Sequence, residues 1–195
     1  MRYLSIDLET TGRYAEWCQI LEIGAVLDDT SWPEVIDDGL FGGRPWLHGY
    51  VVHERVVGEP YALMMNADAI KRIARREDYQ QYKFWTPEEA ACELMDFVVL
   101  NFPTGKVTAA GKNFNGFDRL FLRQLPEMSD FLERRFHHRA FDPALLYFRE
   151  GDQELPGLQQ CLLRAGIQNK VMHTACEDAY QVIQSIRAGI FKGEK

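Results

Sequence analysis

A short segment near the N-terminus carries two acidic side chains whose spacing suits a metal site. Asp7-Leu8-Glu9 follows the apolar run 2–6, which predicts a buried strand. Side chains two residues apart on an extended chain point to the same side, so both carboxylates would project from one face at the end of that strand. Two carboxylates held this close repel one another unless a cation lies between them, and oxygen ligands favour Mg²⁺ or Mn²⁺ over Zn²⁺. The alternative for an isolated Asp-x-Glu pattern is a polar strand end that faces solvent.

Two further segments add acids and a histidine. Asp118 stands at the predicted start of a helix, after the segment 111–117, where the helix dipole favours a carboxylate. His173 precedes another predicted helix, and Asp178 falls in the first turns of that helix. Each feature has an ordinary explanation, as an N-terminal acid or a helix cap. Their combination predicts one site in which these groups meet the acids of the first segment.

Residues around these acids are candidates for substrate contacts. Thr10-Thr11-Gly12 predicts a tight turn, in which small residues let backbone N–H groups approach a phosphate or a sugar. Phe114 is a candidate for stacking on a base, and a position in the hydrophobic core is the alternative. The basic side chains that could contact phosphates, with a solvated helix face as the alternative, are Lys112, Arg119, Arg123 and the cluster from Lys71 to Arg76.

Composition and charge narrow the class of protein. The chain of 195 residues is 46% hydrophobic and 12% aromatic, which predicts one globular domain spanning 1–195. Its net charge of −7 comes from residues 1–60, since the remaining residues carry equal numbers of basic and acidic side chains. A protein that coats a long duplex should be more basic, whereas one that holds a few nucleotides through metal ions need not be.

The sequence also predicts where the protein resides. No apolar run approaches the roughly 18 residues that a membrane span needs, and the acids of the N-terminal segment are not typical of a signal peptide. The four cysteines show neither a Cys-x-x-Cys pair nor zinc-type spacing. We interpret them as reduced thiols and expect a cytoplasmic protein without membrane contact.

The elements that must position the site alternate between strands and helices. Predicted strands span 2–6, 19–27, 106–110 and 139–141, with a weaker candidate at 35–41 that would complete an antiparallel meander. Residues 42–60 carry several Gly and Pro and predict a long loop. Predicted helices span 61–73, 87–101, 117–125, 158–165 and 175–190, the second of them starting with a capping box at Thr86 and Glu89. This order predicts an α/β fold with a mixed sheet.

Three motifs occur in an order that points to a known family. Asp7 to Gly12 is D-L-E-T-T-G, and its strand continuation at 19–26 is Q-I-L-E-I-G-A-V. The second motif matches Phe117-Asp118 with Phe121-Leu122, and the third, H-x-A-x-x-D, matches 173–178. On these residues the chain resembles the DEDD exonuclease superfamily, in its histidine-containing subgroup, which includes oligoribonuclease and polymerase proofreading domains. Where many relatives have an aspartate followed by threonine, this chain has Asp142-Pro143, which we interpret as structural.

The resemblance implies both a fold and a mechanism. The fold is ribonuclease H-like, a mixed β-sheet flanked by α-helices with the acids gathered at one end. The implied activity is a metal-dependent 3′→5′ exonuclease that releases nucleoside 5′-monophosphates from single-stranded DNA or RNA ends. Thr10, Thr11 and Gly12 would meet the terminal nucleotide, and His173 would take the proton of the attacking water. Two Mg²⁺ or Mn²⁺ ions would be held by Asp7, Glu9, Asp118 and Asp178.

Other functions remain open at this point. A non-catalytic nucleic-acid-binding module that keeps the fold is the alternative from another class. The choice between DNA and RNA stays open because it depends on the placement of one contact at a 2′-hydroxyl. Several relatives are dimers, so the protein partners to consider are a second copy of the chain and a polymerase.

Overall fold

Six strands form one mixed sheet in the computed structural model, which describes residues 1–37, 39–76, 82–168, 171 and 173–190. The strands are β1 (Arg2–Thr10), β2 (Ile20–Asp29), β3 (Trp46–Val51), β4 (Lys83–Trp85), β5 (Val107–Ala110) and β6 (Phe136–Phe141). Their order across the sheet is β4-β3-β2-β1-β5-β6. The first three strands pair antiparallel, and each of the other three joins its neighbour in parallel.

Helices cover both faces of this sheet. They are α1 (Pro60–Met65), α2 (Ala67–Arg75), α3 (Pro87–Asn101), α4 (Asp118–Leu122), α5 (Met128–Arg135), α6 (Ala144–Tyr147), α7 (Leu158–Ala165) and α8 (Ala175–Ile190). The start of α3 confirms the predicted capping box: the Thr86 hydroxyl accepts the N–H of Glu89 at 3.2 Å, and the Glu89 carboxylate accepts the N–H of Thr86 at 2.8 Å. The α/β architecture with a mixed sheet is as predicted.

The alternation of side chains along β1 decides which layer of helices the acids face. Leu4, Ile6 and Leu8 pack in the larger core, together with side chains of α3, α4 and α5. Tyr3 points the other way and packs with α7 and α8. Asp7 and Glu9 lie an even number of positions from Tyr3, and side chains at such spacings along a strand point to the same face. Both acids therefore project from the face that α8 covers.

A buried ion cluster fixes α8 at the far end of this face. Asp28 of β2 is fully buried and accepts hydrogen bonds from Tyr3 at 2.7 Å, from Arg44 at 2.8 Å and from Arg187 of α8 at 2.9 Å. Two guanidinium groups and one phenol thus surround one carboxylate. Because a buried carboxylate needs such partners, the cluster ties α8 and the segment before β3 to β2.

Several predicted boundaries are wrong. β1 continues through Thr10, so Asp7 and Glu9 lie within the strand, because pairing with β2 satisfies the backbone that far. The third strand of the meander is β3, inside the predicted loop 42–60. The predicted strand 35–41 instead leads into a 3-10 turn at Leu40–Gly43, where Phe41 has a positive φ. The helix predicted at 61–73 is divided at Asn66, and the one at 117–125 ends at Leu122.

Among the described residues, no helix combines the length and the apolar character that crossing a bilayer requires.

Candidate active site

β1 and α8 bring the first and third motifs together. Asp178 lies in the first turns of α8 and is 6% exposed. One carboxylate oxygen each of Glu9 and Asp178 and one ring nitrogen of His173 lie within 4.8 Å of one another. Groups from the two ends of the chain therefore stand close enough to share one cation.

Asp118, the acid of the second motif, lies close to these groups of the first and third motifs. It is the first residue of α4 and is 3% exposed. Backbone N–H groups of Leu8 and of Asp118 itself bond to its carboxylate, which holds the side chain against β1. Its charge acts on Asp7, as do the charges of Asp178 and Glu9, so the structure brings all four predicted acids together.

The crowding of these acids changes their ionisation. The pKa of Asp7 lies well above its usual range, first because the side chain is removed from water and then because Asp118, Asp178 and Glu9 repel its charge. Burial, followed by the charge of Glu22, raises the pKa of Glu9 to about 7. Burial also raises the pKa of Asp118 to about 8, against the opposing effect of its backbone hydrogen bonds. Acids crowded in this way are more stable in their ionised forms when cations neutralise them.

His173 stands at the exposed edge of the acid cluster. It directly precedes α8 and has a φ of 56°, in the left-handed region that non-glycine residues rarely adopt. The next residue, Thr174, donates its hydroxyl to Glu177 at 2.6 Å, which closes the first turn of the helix. Such backbone strain is often found at functional sites. An exposed imidazole beside buried acids can exchange protons with solvent.

Glu22 is a carboxylate of this region that the sequence analysis did not assign. It lies on β2 directly opposite Glu9, is 1% exposed, and contributes to the raised pKa of both Glu9 and Asp7. The available signal was an acid inside the apolar strand 20–27, because a buried charge requires specific partners.

A cavity of about 600 Å³ opens beside Glu9. Its walls are the end of β1, helix α1 and Phe117, and the lining residues are Leu8, Glu9, Thr10, Gly12, Arg13, Glu59, Tyr61, Ala62, Met65, Asn66 and Phe117. Gly12 is required there, since a Cβ would stand 2.5 Å from the Cys18 sulfur and 2.8 Å from the Glu59 carboxylate. The backbone N–H of Arg13 donates to Glu59 at 2.7 Å, and the exposed Arg13 guanidinium lies 3.3 Å from the same carboxylate.

Two predicted substrate contacts do not face this cavity. Thr11 is fully buried: its hydroxyl donates to the Val57 carbonyl at 2.6 Å and accepts the N–H of Gln19 at 2.8 Å. It therefore joins the segment before α1 to β1 instead of meeting a nucleotide. Phe114 is 1% exposed and stacks on Phe136 at 6.4 Å between ring centroids, so the core alternative is the correct one.

The basic candidates of the second motif are engaged by the protein itself. Arg119 is 8% exposed and donates to the His137 carbonyl at 3.1 Å. Arg123 pairs with Glu133, and Lys112 lies 3.6 Å from Asp142. Asp142 also accepts the backbone N–H groups of Asn113 and Ala144, which agrees with its structural interpretation.

The donor set fits a divalent cation. Carboxylate oxygens with one imidazole nitrogen are ligands of hard or borderline metals, and the raised pKa values of Asp7 and Glu9 show that their ionised forms need a neutralising cation. The residues present therefore fit the metal dependence of the family that the motifs resemble.

Comparisons with known proteins agree with the motifs. No protein-family model matches the chain. It is 25% identical over 189 residues to an oligoribonuclease of Paraburkholderia xenovorans, covering 96% of this chain and 81% of that protein. It is 27% identical over 183 residues to an oligoribonuclease of Baumannia cicadellinicola, covering 93% of this chain and 88% of that one.

Solved structures of Exonuclease I share the fold. The E. coli enzyme in complex with a dT13 oligonucleotide superposes with a TM-score of 0.61 at 15% identity, covering 98% of this chain. Exonuclease I of Methylocaldum szegediense gives a TM-score of 0.66 at 16% identity, covering 99% of this chain. The chain spans only 41% of either of these proteins. With the motifs, the mixed sheet and the oligoribonuclease relatives taken together, the chain is similar to the DEDD family of 3′→5′ exonucleases in both sequence and fold.

Proposed function

We propose that this protein removes nucleotides from the 3′ end of a single-stranded nucleic acid and releases nucleoside 5′-monophosphates by metal-dependent hydrolysis. The observation that carries the proposal is the convergence of Asp7, Glu9, Asp118 and Asp178 into one acid cluster, where burial and mutual repulsion raise the pKa values of the first three. An acid cluster that cations would stabilise, beside an open cavity, suits phosphodiester hydrolysis better than simple binding.

The four acids would hold two Mg²⁺ or Mn²⁺ ions. When bound, this pair of cations supplies positive charge that activates a water molecule and stabilises the departing oxygen. Asp7, whose charge interacts with all three other acids, would be one of the residues that hold the ions. The N–H groups that hold Asp118 keep its carboxylate oriented toward β1.

His173 would accept the proton of the attacking water. Its ring nitrogen lies within 4.8 Å of oxygens of Glu9 and Asp178, so it stands next to the place where the water would be held. Its exposure lets the proton pass on to solvent. Imidazole is the side chain that most often serves as a general base in enzymes.

The cavity beside Glu9 would receive the terminal nucleotide. Thr10 and Gly12 line it, and helix α1 adds Tyr61 and Met65 to the lining. An exposed tyrosine can stack on any base, and Arg13 at the mouth offers a positive charge to a phosphate. Such contacts would bind the 3′-terminal nucleotide whatever its base.

A degradation assay tests the proposal. The protein is incubated with 5′-labelled oligonucleotides of two to about twenty nucleotides, as matched single- and double-stranded DNA and RNA, with Mg²⁺, with Mn²⁺ and with chelator. We expect a metal-dependent ladder that shortens by one nucleotide from the 3′ end of single strands. Tight binding without products would support the non-catalytic module, and cleavage within the strand would contradict exonuclease action. The rates on DNA and RNA of the same sequence show which nucleic acid is preferred.

A further inference from the structure

Glu22 and His48 form a hydrogen-bonded pair, and Glu22 also accepts a hydrogen bond from the start of α8. The Glu22 Oε1 atom lies 2.7 Å from Nε2 of His48 and accepts the backbone N–H of Ala175 at 3.1 Å. The N–H of Ala175 can only donate to this oxygen, and the tautomer of His48 that carries its hydrogen on Nε2 donates to the same atom. The side chains of Glu22 and His48 are 2% and 12% exposed. One oxygen thus joins β3, β2 and the first residue of α8.

The face of the sheet is shaped for this contact. Gly24 pairs with Asp7 on one side and with His48 on the other, so these residues form one row across three strands. The backbone of α8 lies directly over Gly24, where a Cβ would be 2.1 Å from the nitrogen of Cys176. The Cys176 thiol adds a contact of 3.6 Å to the Leu47 carbonyl. The first turn of α8 is therefore held against the sheet at several points.

This first turn carries two residues of the candidate active site. His173 precedes Ala175 by two positions, and Asp178 follows it by three. A carboxylate at the N-terminus of a helix is stabilised by the helix dipole and by the N–H groups that have no partner within the helix. Movement of Ala175 relative to β2 would carry both side chains away from Asp7 and Glu9. Glu22 lies opposite Glu9 on the neighbouring strand β2. Because Glu22 accepts the N–H of Ala175, it sets the distance between the start of α8 and Glu9.

We infer that Glu22 and His48 are positioning residues, which fix the first turn of α8 and thereby set His173 and Asp178 against Asp7 and Glu9. The inference rests on the proposed function. Neither residue is among the described residues that line the cavity. Their effect is thus transmitted through α8 and not through contact with the nucleotide. His48 holds Glu22 by donating to it, and its ring packs against Tyr50 and Tyr82 at 5.5 and 5.6 Å.

A pair of His48 variants separates positioning from packing. His48→Leu fills a similar volume without a donor, whereas His48→Gln keeps an N–H group that can reach Glu22. Three quantities are measured: kcat and KM on a single-stranded oligonucleotide, the affinity for Mn²⁺, and amide exchange of residues 173–178 in the metal-free protein. Groups that orient metal ligands typically contribute about 10- to 100-fold to activity or metal affinity. We expect His48→Leu to lower kcat by about that factor and to speed the exchange of the Ala175 amide, with KM changed less than about threefold. His48→Gln should recover most of each loss.

The outcomes distinguish the inference from its alternatives. Equal losses in the two variants would show that only packing matters and would overturn the inference. A higher KM with an unchanged kcat would place the pair in contact with substrate, which also overturns it. Glu22→Gln keeps an acceptor oxygen for Ala175, so it should retain more activity and slower exchange than Glu22→Ala, and equal behaviour would again contradict the inference. If the wild-type protein degrades no oligonucleotide, the proposed function fails. Amide exchange of the variants then still tests whether Glu22 and His48 fix the first turn of α8.

Discussion

Gly24 of β2 lies directly beneath Cys176 of α8, because a Cβ at Gly24 would stand 2.1 Å from the Cys176 backbone nitrogen. The opposing atoms belong to the helix backbone and cannot rotate away. We therefore expect Gly24→Ala to shift the start of α8, to destabilise the protein by about 1–3 kcal/mol, and to lower kcat by about 10²-fold. Urea unfolding and the degradation assay check both effects. Gly157→Ala is the control for activity, since no atom lies within 4 Å of its added Cβ and only the N-cap of α7 is changed, and equal losses of kcat in the two variants would disprove the close approach.

Asp7→Asn should nearly abolish turnover without weakening the fold. The amide keeps the size of the side chain but removes a charge that three neighbouring acids repel, so the metal-free protein should melt at the same temperature or higher. Activity should fall by about 10³-fold or more if Asp7 helps to hold the cations. Thermal unfolding in chelator and the degradation assay measure the two quantities. Near-normal activity would show that Asp7 holds no metal.

His173→Ala distinguishes a proton acceptor from a metal ligand. As a general base, His173 contributes about 10²- to 10⁴-fold to turnover, and its loss should leave Mn²⁺ affinity nearly unchanged. Its ring nitrogen is also close enough to Glu9 and Asp178 to coordinate a cation, which makes the measurement necessary. Calorimetric titration with Mn²⁺ decides, with His138→Ala on the exposed part of β6 as the control. A large drop in affinity would make the histidine a ligand.

The stability of the metal-free protein should depend on pH in a defined direction. The pKa of Glu9 rises from 4.5 to about 7 and that of Asp118 from 3.8 to about 8. Between these values the native state binds more protons than the unfolded chain, so the free energy of unfolding should fall as the pH rises from about 4 to 8. Saturating Mg²⁺ should raise the melting temperature more at pH 8 than at pH 6, because fewer protons then compete for the carboxylates. Melting curves in chelator and in Mg²⁺ test this, and a Mg²⁺ effect independent of pH would contradict it.

Asp28→Asn should destabilise the fold without touching the chemistry. The substitution leaves the guanidinium groups of Arg44 and Arg187 buried beside a neutral amide, and removal of one partner from such a cluster typically costs about 3–5 kcal/mol. Asp68→Ala is the matched control, because the exposed pair of Asp68 with Lys71 should contribute less than about 1 kcal/mol. Urea unfolding measures both variants, and kcat per folded molecule should stay unchanged. Similar losses in the two variants would contradict the importance of the buried cluster.

Features that depend on neighbours along the chain were predictable from the sequence. The capping box at Thr86 and Glu89 lies within four residues, and the two acids of β1 share a face because a strand has a period of two. The motifs around Asp118 and Asp178 predicted that these acids belong to one site, and the structure brings them together. Local geometry and the chemistry of each residue type were sufficient for these predictions.

Features that depend on distant parts of the chain needed the tertiary structure. Phe114 and Thr11 could have faced a nucleotide, but β6 covers the first and the segment before α1 accepts the hydroxyl of the second. The role of Glu22 depends on Ala175, which lies 153 residues later. The sequence by itself determined which chemistry is available and the order of most of the elements that carry it. Only the packing of the elements against one another decided which side chains remain accessible, because burial is set by contacts between elements and not by the spacing within one.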